Sequence, residues 1–305
     1  MSELVILSGK GGTGKTAVSA AIAHLAFQDQ EFPDPVIVDA DVDAANLALV
    51  VGANGSAGTE FWEGEEASID SESCIDCGVC QEFCRFEAIS YSEEYGFQVD
   101  PLSCEGCAAC YYQCPTESIS MASRLSGHWF KSASRLGTLL HASLLPAQES
   151  SGKLVSLIKD RARGEARDEA GDGRRGQPFL IVDGPPGIAC PAIAAVSGAD
   201  LVLIVTEPTM AGLYDLDRAD KMAAHFHLPR LVCINKADIH PEGATRIEAH
   251  CREKGIEVRG WIPFDKAVTE AMIAGKSVTE YSPESPASLG IRDLWDGVSA
   301  ALMKA

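Results

Sequence analysis

Leu4-Val5-Ile6-Leu7-Ser8-Gly9-Lys10-Gly11-Gly12-Thr13-Gly14-Lys15-Thr16 decides the fold of this chain. The unbroken apolar run Leu4 to Leu7 reads as a buried strand, and a helix is expected to follow over Ala17 to Phe27. Between them the glycines let backbone amides curl around an anion, and the helix points its positive end at the same place. Gly9 to Thr16 fulfils G-x-x-x-x-G-K-[ST], a phosphate-binding loop in which Lys15 adds a full charge and Thr16 ligates Mg2+. A merely structural glycine turn would have no use for two lysines.

Further apolar strands follow at intervals. Val36-Ile37-Val38-Asp39 and Phe179-Leu180-Ile181-Val182-Asp183 each end in a carboxylate, the second leading into Gly184-Pro185-Pro186-Gly187. Leu203 to Thr206 and Leu231 to Asn235 are two more, and between them Leu213, Leu216, Ala219, Met222, Ala223 and Phe226 recur at helical spacing as a packing stripe. Strands alternating with helices predict an α/β fold with a doubly wound, mostly parallel sheet. The chain has 305 residues and 46% hydrophobic content, enough for one full α/β core with a small second domain.

Lys10-Gly11-Gly12-Thr13-Gly14-Lys15-Thr16 also matches K-G-G-x-x-K-[ST]. On these residues the chain resembles the deviant Walker A group of P-loop ATPases, the superfamily of MinD, ParA, Mrp and nitrogenase iron protein. The resemblance covers residues 1–55 and about 120–305, in five motifs. It implies an ATPase, slow and stimulated by a partner, with ATP and Mg2+ held by Gly11, Gly12, Thr13, Gly14, Lys15, Thr16 and Ala17. It also implies a dimer closed by ATP, a homodimer or a heterodimer with a paralogue, in which Lys10 reaches the partner's nucleotide as a charge clamp. Within the expected switch I, Asp39 to Leu47, Asp41 positions the attacking water and Asp39 supports the metal. Asp183 holds the magnesium shell, Gly187 brings its N–H near the γ-phosphate, Asn235 recognises the base, and Pro263 belongs to the loop that lines adenine.

C-x-x-C-x-x-C-x-x-x-C occurs twice, as Cys74, Cys77, Cys80, Cys84 and as Cys104, Cys107, Cys110, Cys114 before Pro115. Eight of the eleven cysteines thus occupy 41 residues. The spacing resembles that of bacterial two-cluster ferredoxins and implies two 4Fe-4S clusters with crossed ligand sets. Cys74, Cys77, Cys80 and Cys114 would hold one, and Cys104, Cys107, Cys110 and Cys84 the other. Paired zinc sites are the alternative, but zinc has no use for a tight third thiol. Arg85 stands where the first motif often has Pro. Gly52 to Gly58 reads as a flexible entry, and the exit through Ile119-Ser120-Met121 to Phe130 as a hairpin. The expected layout is a discontinuous ATPase domain, 1–57 and 120–305, with an inserted α+β ferredoxin domain at 58–119.

Charge is concentrated in the insert. From Ser56 to Ser120 there are 14 Asp and Glu against the single Arg85, in a chain of formal net charge −19. Such surroundings favour low cluster potentials and a basic redox partner, and they make nucleic acid a poor partner. No apolar run is long enough to span a membrane, no leader precedes the P-loop, and the C-terminal amphipathic stretch around Trp295 lacks a cationic face. It reads as a docked helix, and the protein as cytoplasmic, where free thiols persist. Leu154 to Ile158 suggests a helix, with the mixed-charge run Asp160 to Gln177 continuing as a solvated loop. Cys233 and Cys251 read as core residues. Cys190 follows Gly187 near where nitrogenase iron protein places a bridging-cluster cysteine. No second cysteine lies between Pro115 and Cys190 to share that role, so Cys190 is expected to be buried or weakly functional.

Three functions fit these features. The first is nucleotide-gated electron transfer. The second is positioning or partitioning of MinD or ParA kind, with structural or redox-sensing clusters. The third is an Mrp-like carrier or scaffold that hands clusters to other proteins. Two complete cysteine quartets favour the first.

Overall fold

The computed structural model describes residues 1–55, 57–148, 152–171 and 177–304. The chain begins β1 (Ser2–Ser8), α1 (Lys15–Gln28), β2 (Val36–Asp39) and α2 (Leu47–Val50). It continues through β3 (Thr59–Ile69), α3 (Val79–Phe83), β4 (Ile89–Ser92), β5 (Gly96–Val99), α4 (Ala109–Gln113) and β6 (Ile119–Ser134). Next come β7 (Gly137–Leu144), α5 (Gly152–Gly171), β8 (Phe179–Pro186), α6 (Cys190–Val196), β9 (Leu201–Thr206) and α7 (Met210–His225). The last elements are β10 (Arg230–Asn235), α8 (Pro241–Glu253), β11 (Glu257–Ile262), α9 (Lys266–Ile273), α10 (Val278–Tyr281) and α11 (Pro286–Leu302). Two compact units result. One is Met1–Gly58, Trp129–Ser143 and Ser150–Ala305, and the other is Thr59–His128 with Leu144–Glu149.

The larger unit is built on a sheet of order β11-β10-β9-β1-β8-β2-β7, with the end of β6 at the edge. All the pairings from β11 to β7 are parallel, which is the doubly wound α/β arrangement. Strand β1 shows why these residues build it. Leu4, Val5, Ile6 and Leu7 are all fully buried, so both faces of the strand are covered, as parallel sheets require. Leu4 and Ile6 pack into the core made with α1 and α11, and alternation turns Val5 and Leu7 to the other side. Each such side chain contributes about 1.5–3 kcal/mol on burial. Ile291, Leu294, Trp295, Val298 and Leu302 are buried on α11, which is therefore a docked helix. Cys233 and Cys251 are buried as well. Among the described residues, no helix is long and apolar enough to cross a membrane.

Four expectations from sequence need correction. The exit from Ile119 to Phe130 is not a hairpin but part of one continuous strand, β6. Helix α5 runs on to Gly171, so most of the mixed-charge run is helical; residues 172–176 lie outside the described ones. Phe226 is only the cap of α7 and is 37% exposed, because the helix stops at His225. Cys190 is exposed at the start of α6 rather than buried.

The charges of α5 also have structural work that the sequence did not announce. Lys159 is 1% exposed and Glu3, inside β1, is 0% exposed. Lys159 Nζ pairs with Glu3 Oε1 at 2.8 Å. It also donates to the carbonyls of Ala194, Ala195 and Ser197 at the end of α6. Arg163 completes the set, with Nε 2.9 Å from Glu3 Oε2 and Nη2 2.7 Å from Ser197 O. A buried charge is tolerated only with such full pairing.

In the smaller unit β3 lies beside β6, and Ser126 Oγ donates to Glu63 O at 2.6 Å. Strands β4 and β5 form an antiparallel hairpin, Ile89 opposite Val99 and Ser92 opposite Gly96. Its core consists of Ala67, Ala88, Ile89 and Ile119 with Cys80, Cys104 and Cys110. So few apolar side chains make a marginal core, of the kind that bound metal commonly completes.

Candidate functional site

The P-loop follows β1 at the carboxyl end of the parallel sheet, where ligands of such sheets bind. Gly12 and Gly14 take left-handed backbones, φ 82° and 85°, which glycine adopts without strain. Gly14 also has no room for a side chain, since a Cβ there would lie 2.3 Å from Asn235 Nδ2. Gly11 and Gly12 are exposed, Thr13 is buried, and Thr16 and Ala17 are half-buried in the first turn of α1. Lys15 is 5% exposed, and its Nζ sits 2.6 Å from Asp183 Oδ1. Ser19 Oγ donates to the same oxygen at 2.8 Å.

Asp39, the last residue of β2, lies opposite Asp183, which sits inside β8, so that strand runs past the carboxylate expected to close it. Both are buried, at 1% and 0% exposure. Asp39 accepts from Asp41 N at 3.2 Å and from Leu47 N at 3.0 Å, which fixes the start of the loop expected to be switch I. Burial first, and then the charge of Asp183, pushes the Asp39 carboxyl up to about 7. Burial likewise raises Asp41, while Lys15 opposes it. Among the described residues, Asp183 Oδ2 and Thr13 Oγ1 are buried polar atoms without a partner. Two buried carboxylates with an unsatisfied oxygen suit a hard divalent cation, so these residues fit the implied magnesium, with Thr16 at hand in the adjoining turn.

Lys10 and Gly187 stand differently from a nucleotide-engaged arrangement. Lys10 Nζ is 3.4 Å from Glu207 Oε2. Glu207 also holds Lys236, whose Nζ is 2.6 Å from Oε1 and 3.3 Å from Gly12 O. Burial works against the Glu207 carboxylate, but the two lysines outweigh it and keep it below its ordinary value. Gly187 has φ 84° and donates its N–H to Ser8 O at 2.9 Å. Each would have to change partners to meet a phosphate. Asn235 Nδ2 donates to Thr13 O at 2.7 Å, and Pro263 lies in the loop after β11. Glu207, Ser19 and Lys236 were missed from sequence; an acid closing a strand, in Val205-Thr206-Glu207, was the available signal for the first.

The cysteines lie on a backbone that repeats after 30 positions, from Cys74 to Cys104. Asp70 and Asp100 begin the two halves alike. Cys74 N donates to Asp70 O and Cys104 N to Asp100 O, at 3.1 and 3.0 Å. Each carboxylate also accepts from a serine, Ser73 at 2.7 Å and Ser103 at 2.6 Å. Left-handed residues recur in step: Asp76, Gly78 and Glu87 in the first half, Gly106, Ala108 and Glu117 in the second. Such turns gather amides into concavities that hold anions and iron-sulfur groups. Gly106 is obligatory, since a Cβ there would lie 2.2 Å from Glu65 O.

The sulfurs are prepared as acceptors. Cys84 Sγ accepts from Ala88 N at 3.3 Å. Cys114 Sγ lies 3.2 Å from Ser118 Oγ. Burial disfavours the Cys114 thiolate, but hydrogen bonds from Ser118 and Thr116 prevail and bring it down to about 7. Cys77 and Cys107 are exposed, while Cys80, Cys104 and Cys110 are buried. Among the described residues, no three His, Cys, Asp or Glu groups are placed to share a single metal ion. Two quartets of thiols on these repeated turns, with sulfurs that meet N–H and O–H donors, fit iron-sulfur ligation.

Sheet order, P-loop and paired buried carboxylates define a P-loop ATPase fold of MinD and ParA type, into which a four-iron unit is spliced. Comparison with known proteins agrees. Residues 67–121 match the family described as 4Fe-4S dicluster domain. The uncharacterized protein MJ0578 of Methanocaldococcus jannaschii is 35% identical over 234 residues, 77% of this chain and 78% of that one. An iron-sulfur cluster carrier protein of Pyrococcus horikoshii is 24% identical over 313 residues, 96% of this chain and 83% of that one. The septum site-determining protein MinD of Pyrococcus horikoshii, solved as its Mg-ADP complex, has a TM-score of 0.56 at 19% identity, covering 100% of this chain and 98% of that one. The chain belongs to the family of MJ0578; it has the fold of MinD and ParA and carries an inserted 4Fe-4S domain.

Proposed function

We propose that this protein is a nucleotide-driven switch, with ATP as the triphosphate its family implies, that gates electron transfer from two 4Fe-4S clusters to a basic partner protein in the cytoplasm. One observation carries the reading. The chain leaves the loop at Asp41, passes α2, enters the four-iron unit at Thr59 and returns at Trp129. A unit tied at both ends to a nucleotide-binding one, with one tie close behind the expected switch I, is placed for coupling. A tail-linked unit would not be.

In this reading Gly11 to Ala17 cradle the phosphates and Asp39, Asp183 and Thr16 hold magnesium, which when bound offsets charge on the phosphoryl oxygens. Lys15 must leave Asp183 to reach a phosphate, and its departure frees a carboxylate oxygen for the metal site. Asp41 orients the attacking water. Lys10 exchanges Glu207 for the nucleotide of the partner subunit, in a homodimer or with a paralogue. The pair it gives up is exposed enough to be worth only about 0.2–1 kcal/mol, so the exchange is easy. Gly187 exchanges Ser8 O for the γ-phosphate. The clusters take Cys74, Cys77, Cys80 and Cys114, and Cys104, Cys107, Cys110 and Cys84.

The test is a stopped-flow experiment. Clusters are reduced with dithionite, mixed with candidate acceptors and ATP, ADP or neither, and followed by recovery of visible absorbance. Nucleotide-dependent oxidation is expected; rates indifferent to nucleotide would remove the gating idea. The similarity to a cluster carrier protein over 96% of this chain supports a second reading, an Mrp-like carrier. Iron transferred to an apo-ferredoxin faster than the reduced clusters are reoxidised would favour it. Positioning of MinD or ParA kind rests on the shared fold alone.

A further inference from the structure

The smaller unit distributes its charge unequally between the two cysteine quartets. Arg85 and Arg124 are the only Lys or Arg residues of Thr59–His128. Arg124 is half-buried, and its Nη1 donates to Cys104 O at 2.6 Å. Its Nε is a buried donor without a partner among the described residues, which suits a negative group close by. Arg85 follows Cys84 directly, whereas Pro115 follows Cys114. Both cations therefore adjoin the same proposed ligand set, Cys104, Cys107, Cys110 and Cys84. In the repeat that carries Cys74 onto Cys104, the position of Arg124 falls on Glu94. Glu94 lines a groove together with Cys74, Glu66, Asp76 and Glu93.

The backbone supports the crossed sets on which this asymmetry depends. Asp70 N donates to Ser118 O at 2.8 Å, and Asp100 N to Ala88 O at 2.7 Å. The segment after Cys114 thus lies beside the turn that opens at Cys74, and the segment after Cys84 beside the turn of Cys104. Hydroxyls work against the charges. Thr116 donates to Ser118, whose Oγ lies 3.2 Å from Cys114 Sγ, while Phe86 and Ala88 fill those places beside Cys84. Hydrogen bonds to a ligating sulfur ease reduction. A hydroxyl dipole nevertheless acts over a shorter range than a full charge that is partly withdrawn from water.

We propose that the two cluster sites are inequivalent, and that Arg124 makes the site of Cys104, Cys107, Cys110 and Cys84 the easier to reduce, so that a single electron rests there. The inference rests on the two-cluster part of the proposed function and does not need the gating. Reduction adds negative charge to a group that its thiolates already make anionic, and a cation beside those thiolates favours it. Each reduction takes up one electron, given by dithionite in the test, and no bond is made or broken. The carboxylates in the groove beside Cys74 disfavour reduction at the other site, weakly where water screens them. Exposed Glu105, next to Cys104, is screened in the same way. An electron that arrives at the Cys74 quartet therefore runs downhill to the Cys104 quartet.

Potentiometric titration of the cluster-loaded protein without nucleotide, followed by electron paramagnetic resonance of the reduced clusters, tests this. Two one-electron steps are expected, separated by about tenfold in equilibrium constant, which is about 59 mV. Repulsion between the two added electrons also splits the steps, so the variants decide. Arg124→Gln should lower the upper potential by about tenfold, again about 59 mV, and leave the lower one in place. Arg124→Lys keeps the charge and should keep the upper potential. Ser118→Ala should lower the lower potential alone. An upper potential unmoved by Arg124→Gln, or one lowered by Ser118→Ala, overturns the assignment, and the second result decides even where Arg124→Gln takes up too little iron. Iron for fewer than two clusters per chain would sink the two-cluster reading beneath it, whereas reoxidation rates indifferent to nucleotide would remove the gating and leave these potentials as they are.

Discussion

Removing Lys15 should unfold the free protein more readily as well as abolish nucleotide binding. Lys15 Nζ lies 2.6 Å from Asp183 Oδ1, with side-chain exposures of 6% and 1%, and Asp39 is buried one strand away. Lys15→Met keeps much of the volume but leaves two carboxylates facing each other in the core. Breaking a buried pair by removing one partner costs about 3–5 kcal/mol, because the remaining charge is stranded. Urea unfolding of the nucleotide-free protein, followed by the fluorescence of Trp295, should show this loss in the transition of the larger unit. Asp183→Asn should lose a comparable amount. The double variant should recover part of it, with a coupling of about 1–3 kcal/mol. A loss below about 1 kcal/mol in Lys15→Met, the range of a solvated pair, would refute the buried latch and with it the idea that Lys15 must be released before it can bind phosphate.

Asp41→Ala should leave nucleotide affinity unchanged and block turnover, measured as phosphate release; normal hydrolysis would displace Asp41 from the water-positioning role. Gly106→Ala should halve the iron content, since its Cβ would meet Glu65 O at 2.2 Å on a backbone of φ 63°. Gly78→Ala should keep full iron, because its nearest contact would be Phe97 Cζ at 3.6 Å and Ala108 already occupies the matching position at φ 59°; equal iron in the two variants would break the argument. His24 lies against Thr279 Oγ1 at 2.9 Å, and burial holds its imidazole below the ordinary 6.5. The native state therefore binds this proton less readily than the unfolded chain, and the stability it contributes is present above about pH 6.5 and lost as pH falls below it. His24→Gln should lose less stability than the parent between pH 7.5 and 5.5, read from urea midpoints, and an identical loss would clear His24. Glu207→Gln should free Lys10 and lower the nucleotide concentration needed for dimer formation in sedimentation; a higher requirement would contradict the holding role.

Much of this site was legible because its chemistry is local. The P-loop spacing, the carboxylates closing Val36 to Asp39 and Phe179 to Asp183, and the two cysteine quartets are each written within a few consecutive residues. What escaped depends on contacts between distant segments. Nothing adjacent to Glu207 announces that it gathers Lys10 and Lys236 from different loops. Lys159 sits beside a run of mixed charge, yet its partner is a glutamate hidden inside an apolar strand. The same contacts hold the start of that run in the helix, since Arg163 is fastened to Glu3 and Ser197. The left-handed repeat at Asp76, Gly78 and Glu87 was hidden too, because only one of its three members is glycine.

The clasp at the end of α6 has a mechanical consequence. Lys159 and Arg163 grip the last carbonyls of that helix and tie them to Glu3 at the base of β1, whereas the opposite end, at Cys190, follows directly from Gly187 and faces solvent. That end is packed as well, since a Cβ on Gly152 of α5 would lie 3.2 Å from Cys190 O. A rearrangement at Gly187 would therefore press on a helix braced at both ends, and a spectroscopic label on the exposed Cys190 would show whether its first turn yields.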